Sequence, residues 1–123
     1  MAVERRARRS RLALAGLLLV TGVLHFAVPS AYDRIVPRAL GDARALVYAS
    51  GVAELACAGL VAAPRTRRAG GWCAAALFVL VFPANVQMAL DASGPAVALA
   101  WLRLPLQVPL VAWAVRVATR PSS

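Results

Sequence analysis

The sequence predicts an all-α integral membrane protein, a bundle of four helices with both termini on the cytoplasmic side. Three observations lead there. Hydrophobic residues make up 61% of the 123 residues and charged ones 15%, with a mean hydropathy of +0.69. That is more apolar surface than a soluble domain of this size can bury. The apolar residues fall in four blocks, 12–28, 45–63, 72–90 and 96–115. Each is about 17 to 20 residues long, the length that carries a helix across about 30 Å of hydrocarbon. The basic residues are also one-sided. Arg5, Arg6, Arg8, Arg9, Arg11, Arg65, Arg67, Arg68, Arg116 and Arg120 fall beside the ends that a four-pass chain puts on one side, and the positive-inside rule makes that side cytoplasmic.

Taken in order, residues 1–11 form a basic cytoplasmic segment that abuts the first block. A cleaved signal peptide is the alternative there. It would leave three spans and set the charge-poor Ser93-Gly94-Pro95 turn on the basic side, so a retained helix is expected. The first helix runs into "GVLHFAVP". In the long connection that follows, Tyr32, Ile35, Val36 and Leu40 recur at helical spacing, which suits a segment lying along the outer interface. The second helix carries "YASGVAELACAGL", where Ala49, Ala53 and Cys57 form a small-residue stripe fit for close helix contact. The turn "PRTRRAGG" is too short to hold a domain. The third helix ends in "VFPANVQMALD", and the fourth gives way to a tail at 116–123. Trp72 and Trp113 fall near the cytoplasmic interface and Tyr32 and Tyr48 near the outer one, where amphipathic rings are favoured.

The net charge of +9 invites a nucleic-acid partner, but the position of the arginines makes them anchors on anionic headgroups, and the expected partner is the bilayer. One histidine with two separated cysteines, Cys57 and Cys73, makes no metal-ligand set. Structural roles are expected for both thiols.

The polar residues inside the apolar blocks converge in depth. At about 1.5 Å per residue, His25 lies roughly 6 Å below the outer end of its helix and Asn85 roughly 8 Å. Ser50, Glu54 and Arg103 fall roughly 8 to 14 Å deep. Gln107 stacks one turn beyond Arg103 on the same face. Every helix thus contributes to one layer in the outer half or near the midplane. A charge in hydrocarbon costs about 3 kcal/mol on insertion scales. Arg103 therefore needs a partner, and Glu54, the lone carboxylate inside a block, is the expected one. Pro83, Pro105 and Pro109 each deprive a carbonyl of its donor, and Gln107, Asn85 or a water is expected to replace it. Two roles fit the layer: interhelical glue, or the lining of a pocket open to the outer face.

The stretches "GVLHFAVPSAYDRIVP", "YASGVAEL", "PRTRRAGGW", "FPANVQMAL" and "LRLPLQVPLVAWA" resemble the DoxX-like family of small bacterial four-helix membrane proteins, over about Gly16 to Trp113. The resemblance implies a location in the bacterial inner membrane. It also implies a membrane subunit or small-molecule binder linked to redox metabolism, with a quinone as the implied cofactor class and redox proteins as cytoplasmic partners. No cofactor motif stands in the sequence itself, catalytic residues are unassigned, and a homo-oligomer is compatible. The site expected on this reading is His25, Ser50, Glu54, Asn85, Arg103 and Gln107. The alternatives are a non-catalytic scaffold that recruits partners through its arginines and, less favoured, a small coupled transporter.

Overall fold

The structure, a computed structural model, describes residues 2–30 and 41–120; the expected interfacial segment at Tyr32–Leu40 lies outside them. All regular structure among the described residues is helical. Helix α1 spans Ala2–Ala27 and α2 spans Ala43–Ala62; a 3-10 turn at Pro64–Thr66 leads to α3, Arg67–Leu80. Helix α4, Phe82–Asp91, follows after a break at Val81, and α5 spans Ala96–Thr119. Helix α1 packs on α2, α2 on α3, and α3 on α5, while α4 continues along α5 and α5 touches α1.

Three stretches, Ala2–Ala27, Ala43–Ala62 and Pro64–Asp91, are long and apolar enough to cross a membrane. Large apolar side chains point away from the core on every long helix, among them Val20, Val52, Leu80, Leu90, Leu102 and Val108. Soluble monomers rarely expose contiguous apolar patches beyond a few hundred Å², so this outer surface is consistent with a membrane protein.

Local sequence explains the element boundaries. The basic segment is helical and continuous with the first apolar block, so α1 starts ten residues earlier than that block, at Ala2 instead of Leu12. Asp42 caps α2 by accepting from the Ala45 amide at 3.2 Å. The third block is two helices. Pro83 has no N–H to offer Val79, so the ladder breaks, the Val81 amide closes α3 on Leu77, and a new helix begins with proline in its first turn. In α5, by contrast, Pro105 and Pro109 are carried within one continuous helix.

The buried residues of α1 are Ala7, Arg11, Leu14, Ala15, Leu18, Gly22 and His25, one stripe at helical spacing. On α2 the corresponding stripe is Val47, Gly51, Glu54, Cys57, Ala58 and Val61. The expected Ala49–Ala53–Cys57 contact face is therefore rotated. Ala49 is exposed, and glycine makes the close approaches. A Cβ on Gly70 would sit 2.5 Å from the Val61 backbone nitrogen, and one on Gly71 2.7 Å from Ala118. Helix α3 thus lies almost backbone to backbone with α2 on one side and α5 on the other. Around this contact Leu14, Val61, Ala74, Ala114 and Val117 form a tightly buried core.

Two arginines of the basic runs turn inward here. Arg11 donates to the carbonyls of Val61 (3.2 Å) and Ala62 at the end of α2. Arg67 donates to Val117 (2.5 Å) near the end of α5. The last four carbonyls of a helix lack intrahelical donors and carry its negative pole, so a guanidinium there satisfies both a hydrogen bond and a charge. Trp113 Nε1 donates to Ser10 Oγ at 2.8 Å and ties α5 to α1, while the Thr66 hydroxyl donates to Leu60 and closes the turn. Arg11 and Arg67 therefore act as internal caps as well as parts of the basic belt. Their signal was legible in α1, where Arg11 occupies the same stripe as Leu14 and Leu18.

Candidate functional site

Away from the basic end the helices separate around a cavity of about 310 Å³, within the size range of small-molecule sites. All six residues of the expected polar layer, His25, Ser50, Glu54, Asn85, Arg103 and Gln107, line it. Helix α1 supplies His25, α2 supplies Ser50 and Glu54, α4 supplies Asn85, and α5 supplies Arg103 and Gln107. The remaining wall is largely apolar, with Leu17, Val47, Phe78, Val81 and Leu110.

The pairing inside the cavity differs from expectation. The ionic partner of Glu54 is His25, whose Nδ1 lies 3.1 Å from Glu54 Oε2; both side chains are about nine-tenths buried. Arg103 is exposed and makes no hydrogen bond or ion pair among the described residues. Two glycines explain why His25 and Glu54 meet. A Cβ on Gly22 would stand 3.2 Å from Glu54 Cβ, and one on Gly51 2.9 Å from His25 Cβ. Each glycine lets the helices close up beside the pair: a Cβ on Gly22 would first meet the end of Leu55 at 2.9 Å, and one on Gly51 the Phe26 ring at 2.7 Å. Phe26 stacks on Tyr48 at 5.3 Å beside this contact, and Arg44 lies over the same tyrosine ring, 5.7 Å from its centre.

His25 Nδ1 is also 2.6 Å from the Thr21 carbonyl one turn back. A carbonyl only accepts, so Nδ1 carries the proton and directs it to Thr21. Glu54 Oε2 consequently lies within ion-pair reach of the imidazole yet receives no hydrogen bond, and it is a fully buried atom without a donor. Thr21 escaped the sequence reading. Its hydroxyl donates back to Leu17 at 3.0 Å and is spent within its own helix, whereas its backbone carbonyl orients the histidine.

The amides have a different task. Gln107 donates from Nε2 to the Phe78 carbonyl and accepts at Oε1 from Asn85 Nδ2 at 3.1 Å. Gln107, Asn85 or a water was expected to serve the carbonyls that the prolines deprive; Gln107 instead crosses to the Phe78 carbonyl near the end of α3, one residue before the Val79 carbonyl that Pro83 leaves without a donor. Asn85, from the first turns of α4, completes a bridge that binds both sides of the break to α5. Gln87 takes no part in the cavity and donates to Asp91 at 2.8 Å on the exposed side of α4.

The two cysteines are free thiols. Cys57 is buried in the core and Cys73 is exposed, and the two are neighbours across the α2–α3 contact instead of being separated in depth. No group of three or more His, Cys, Asp or Glu side chains suited to a metal ion occurs among the described residues.

No curated protein and no solved structure matches the chain. A protein family described as Domain of unknown function (DUF8561) matches residues 14–118, a range that runs from the buried Leu14 of α1 through every cavity-lining residue to Ala118 at the Gly71 contact. The chain belongs to that family.

Proposed function

We propose that this chain is a four-span membrane protein of the bacterial inner membrane, both termini cytoplasmic, that binds a small amphipathic molecule in the cavity of its outer half. In this reading it is a DoxX-like membrane subunit or binder linked to redox metabolism, with a quinone headgroup as the first ligand class to test. The observation that carries the binding reading is Glu54. Among the described residues its buried Oε2 has no hydrogen-bond donor and Arg103 has no partner, and both residues line a cavity of adequate size. An ionisable side chain within a membrane span is costly and marks function by default. Interhelical glue is a weaker account, because the carboxylate that should supply it is left unsatisfied. The amide bridge of Gln107 and Asn85 does fit glue, so the layer divides between the two roles.

Purification in a mild detergent, followed by mass spectrometry of co-purifying small molecules, tests the reading. A reproducible ligand that is lost from Glu54→Gln and Arg103→Leu supports it. Full retention of that ligand by both variants removes it. The scaffold reading draws on the exposed arginines Arg5, Arg6, Arg8, Arg9, Arg65, Arg68 and Arg116 at one end. Crosslinking in native membranes would yield a reproducible protein neighbour if it holds.

A further inference from the structure

The cavity has a donor–acceptor imbalance that specifies the chemistry of its occupant. Its amides are engaged with each other, since Gln107 is bonded at both ends and Asn85 donates to it. Among the described residues two charged groups of the lining stand without a hydrogen bond, one acceptor and one cation, while the neutral Ser50 hydroxyl can turn either way. The acceptor is Oε2 of Glu54, on a residue only 8% exposed. The cation is Arg103, which makes no hydrogen bond or ion pair among the described residues. As a carboxylate Glu54 accepts and never donates, and a guanidinium donates and never accepts. A buried acceptor without a hydrogen bond is costly, and the nearby His25 imidazole offsets only part of that cost.

Three ligand chemistries can be weighed against that pair. A molecule with acceptors alone, such as a ketone, ester, ether or oxidised quinone, answers Arg103 and leaves Glu54 unmet, so within the quinone class it is the reduced, dihydroxy form that fits. An ammonium answers Glu54 but brings a second positive charge into the space that Arg103 lines. A hydroxyl answers both, because its O–H donates to the carboxylate while its oxygen accepts from the guanidinium. The apolar wall formed by Leu17, Val47, Phe78 and Leu110 suits a hydrocarbon body. The volume of about 310 Å³ exceeds the roughly 150 Å³ that holds a bare benzene ring and leaves room for a substituted one.

Resting on the cavity reading above, we propose that the site selects hydrophobic molecules that carry a hydroxyl group, the O–H donating to Glu54 Oε2 and the oxygen turned to Arg103. The test compares two probes that differ by that one donor, 4-butylphenol and its methyl ether 4-butylanisole. Each is titrated by calorimetry into the full-length protein in lipid nanodiscs, with empty nanodiscs as the blank. Wild-type protein is expected to bind the phenol about tenfold or more tightly than the ether, the scale of one hydrogen bond to a charged group. Glu54→Gln should cut that preference to about threefold or less, since a neutral amide accepts more weakly and can also donate to the ether. Arg103→Leu should weaken both probes and keep their ratio. Equal binding of the two probes by the wild type overturns hydroxyl selection while leaving the cavity a binding site. Binding of neither overturns the selection and the cavity reading together. If Glu54→Gln fails to fold, the wild-type ratio decides.

Discussion

The two ends of this molecule use polar groups in opposite ways. At the basic end helices lie nearly backbone to backbone at Gly70 and Gly71, and each inward arginine closes on the terminal carbonyls of another helix. At the cavity end the helices part, α3 breaks at Val81, and a buried carboxylate oxygen and a cation are left without hydrogen bonds among the described residues. Both ends carry charge within apolar surroundings. Where guanidinium groups close on helix-end carbonyls the result is a clamp, even with Arg11 Nε and Arg67 Nε unbonded; where an acceptor faces a cavity, the result is a binding chemistry. Stability and selectivity should therefore respond to different residues.

Gly71→Leu strikes the clamp hardest. It drives a side chain into Ala118, and overpacking of this kind costs about 1–3 kcal/mol or more. Loss of the monodisperse peak in gel filtration, or a large fall in melting temperature, is expected; unchanged melting would show that α3 and α5 are not so closely apposed. Gln107→Leu comes next. It leaves the Phe78 carbonyl and the Asn85 amide without partners, a loss of about 1–3 kcal/mol read by thermal unfolding. Arg67→Met removes the donor to Val117 and is expected to cost about 1–2 kcal/mol, less than a lone hydrogen bond to a charge suggests, because a buried charge leaves with it. The exposed neighbour Arg65 provides the contrast, with Arg65→Ala staying within about 0.5 kcal/mol of wild type. Glu54→Gln should sharpen the comparison most by moving stability least. It removes an incompletely bonded carboxylate, so melting should shift by no more than the Arg65 control while the preference for a hydroxyl-bearing ligand falls. A Glu54→Gln protein as unstable as Gln107→Leu would make the carboxylate part of the clamp.

Depth along a helix is legible in a sequence, and direction around it much less so. His25, Ser50, Glu54, Asn85, Arg103 and Gln107 share a layer because counting residues from the ends of apolar blocks measures depth. Which of them touch depends on azimuth, and azimuth here is set by glycines. Gly22 and Gly51 turn His25 and Glu54 toward each other, so the obvious charge partner, Arg103, lost to a histidine one helix away. Burial stripes at spacings of three and four, Arg11-Leu14-Leu18-Gly22-His25 and Val47-Gly51-Glu54-Ala58-Val61, carried that azimuth in plain view. The reach of Gln107 across to Phe78 had no comparable signal. It depends on a helix break, and Pro83 broke its helix while Pro105 and Pro109 did not break theirs.

Helix α1 is a single rod of 26 residues, about 39 Å end to end at about 1.5 Å per residue. A hydrocarbon layer is about 30 Å thick. Set upright in such a layer, a rod of this length would overrun it, with Arg11 fastened to the terminus of α2 below the overhang. The turns before it then stand above the lipid as a rigid mast and not as a loose tail. Arg5, Arg6, Arg8 and Arg9 are carried on that mast at set heights and bearings, so whatever meets them from the water meets a fixed pattern of charge.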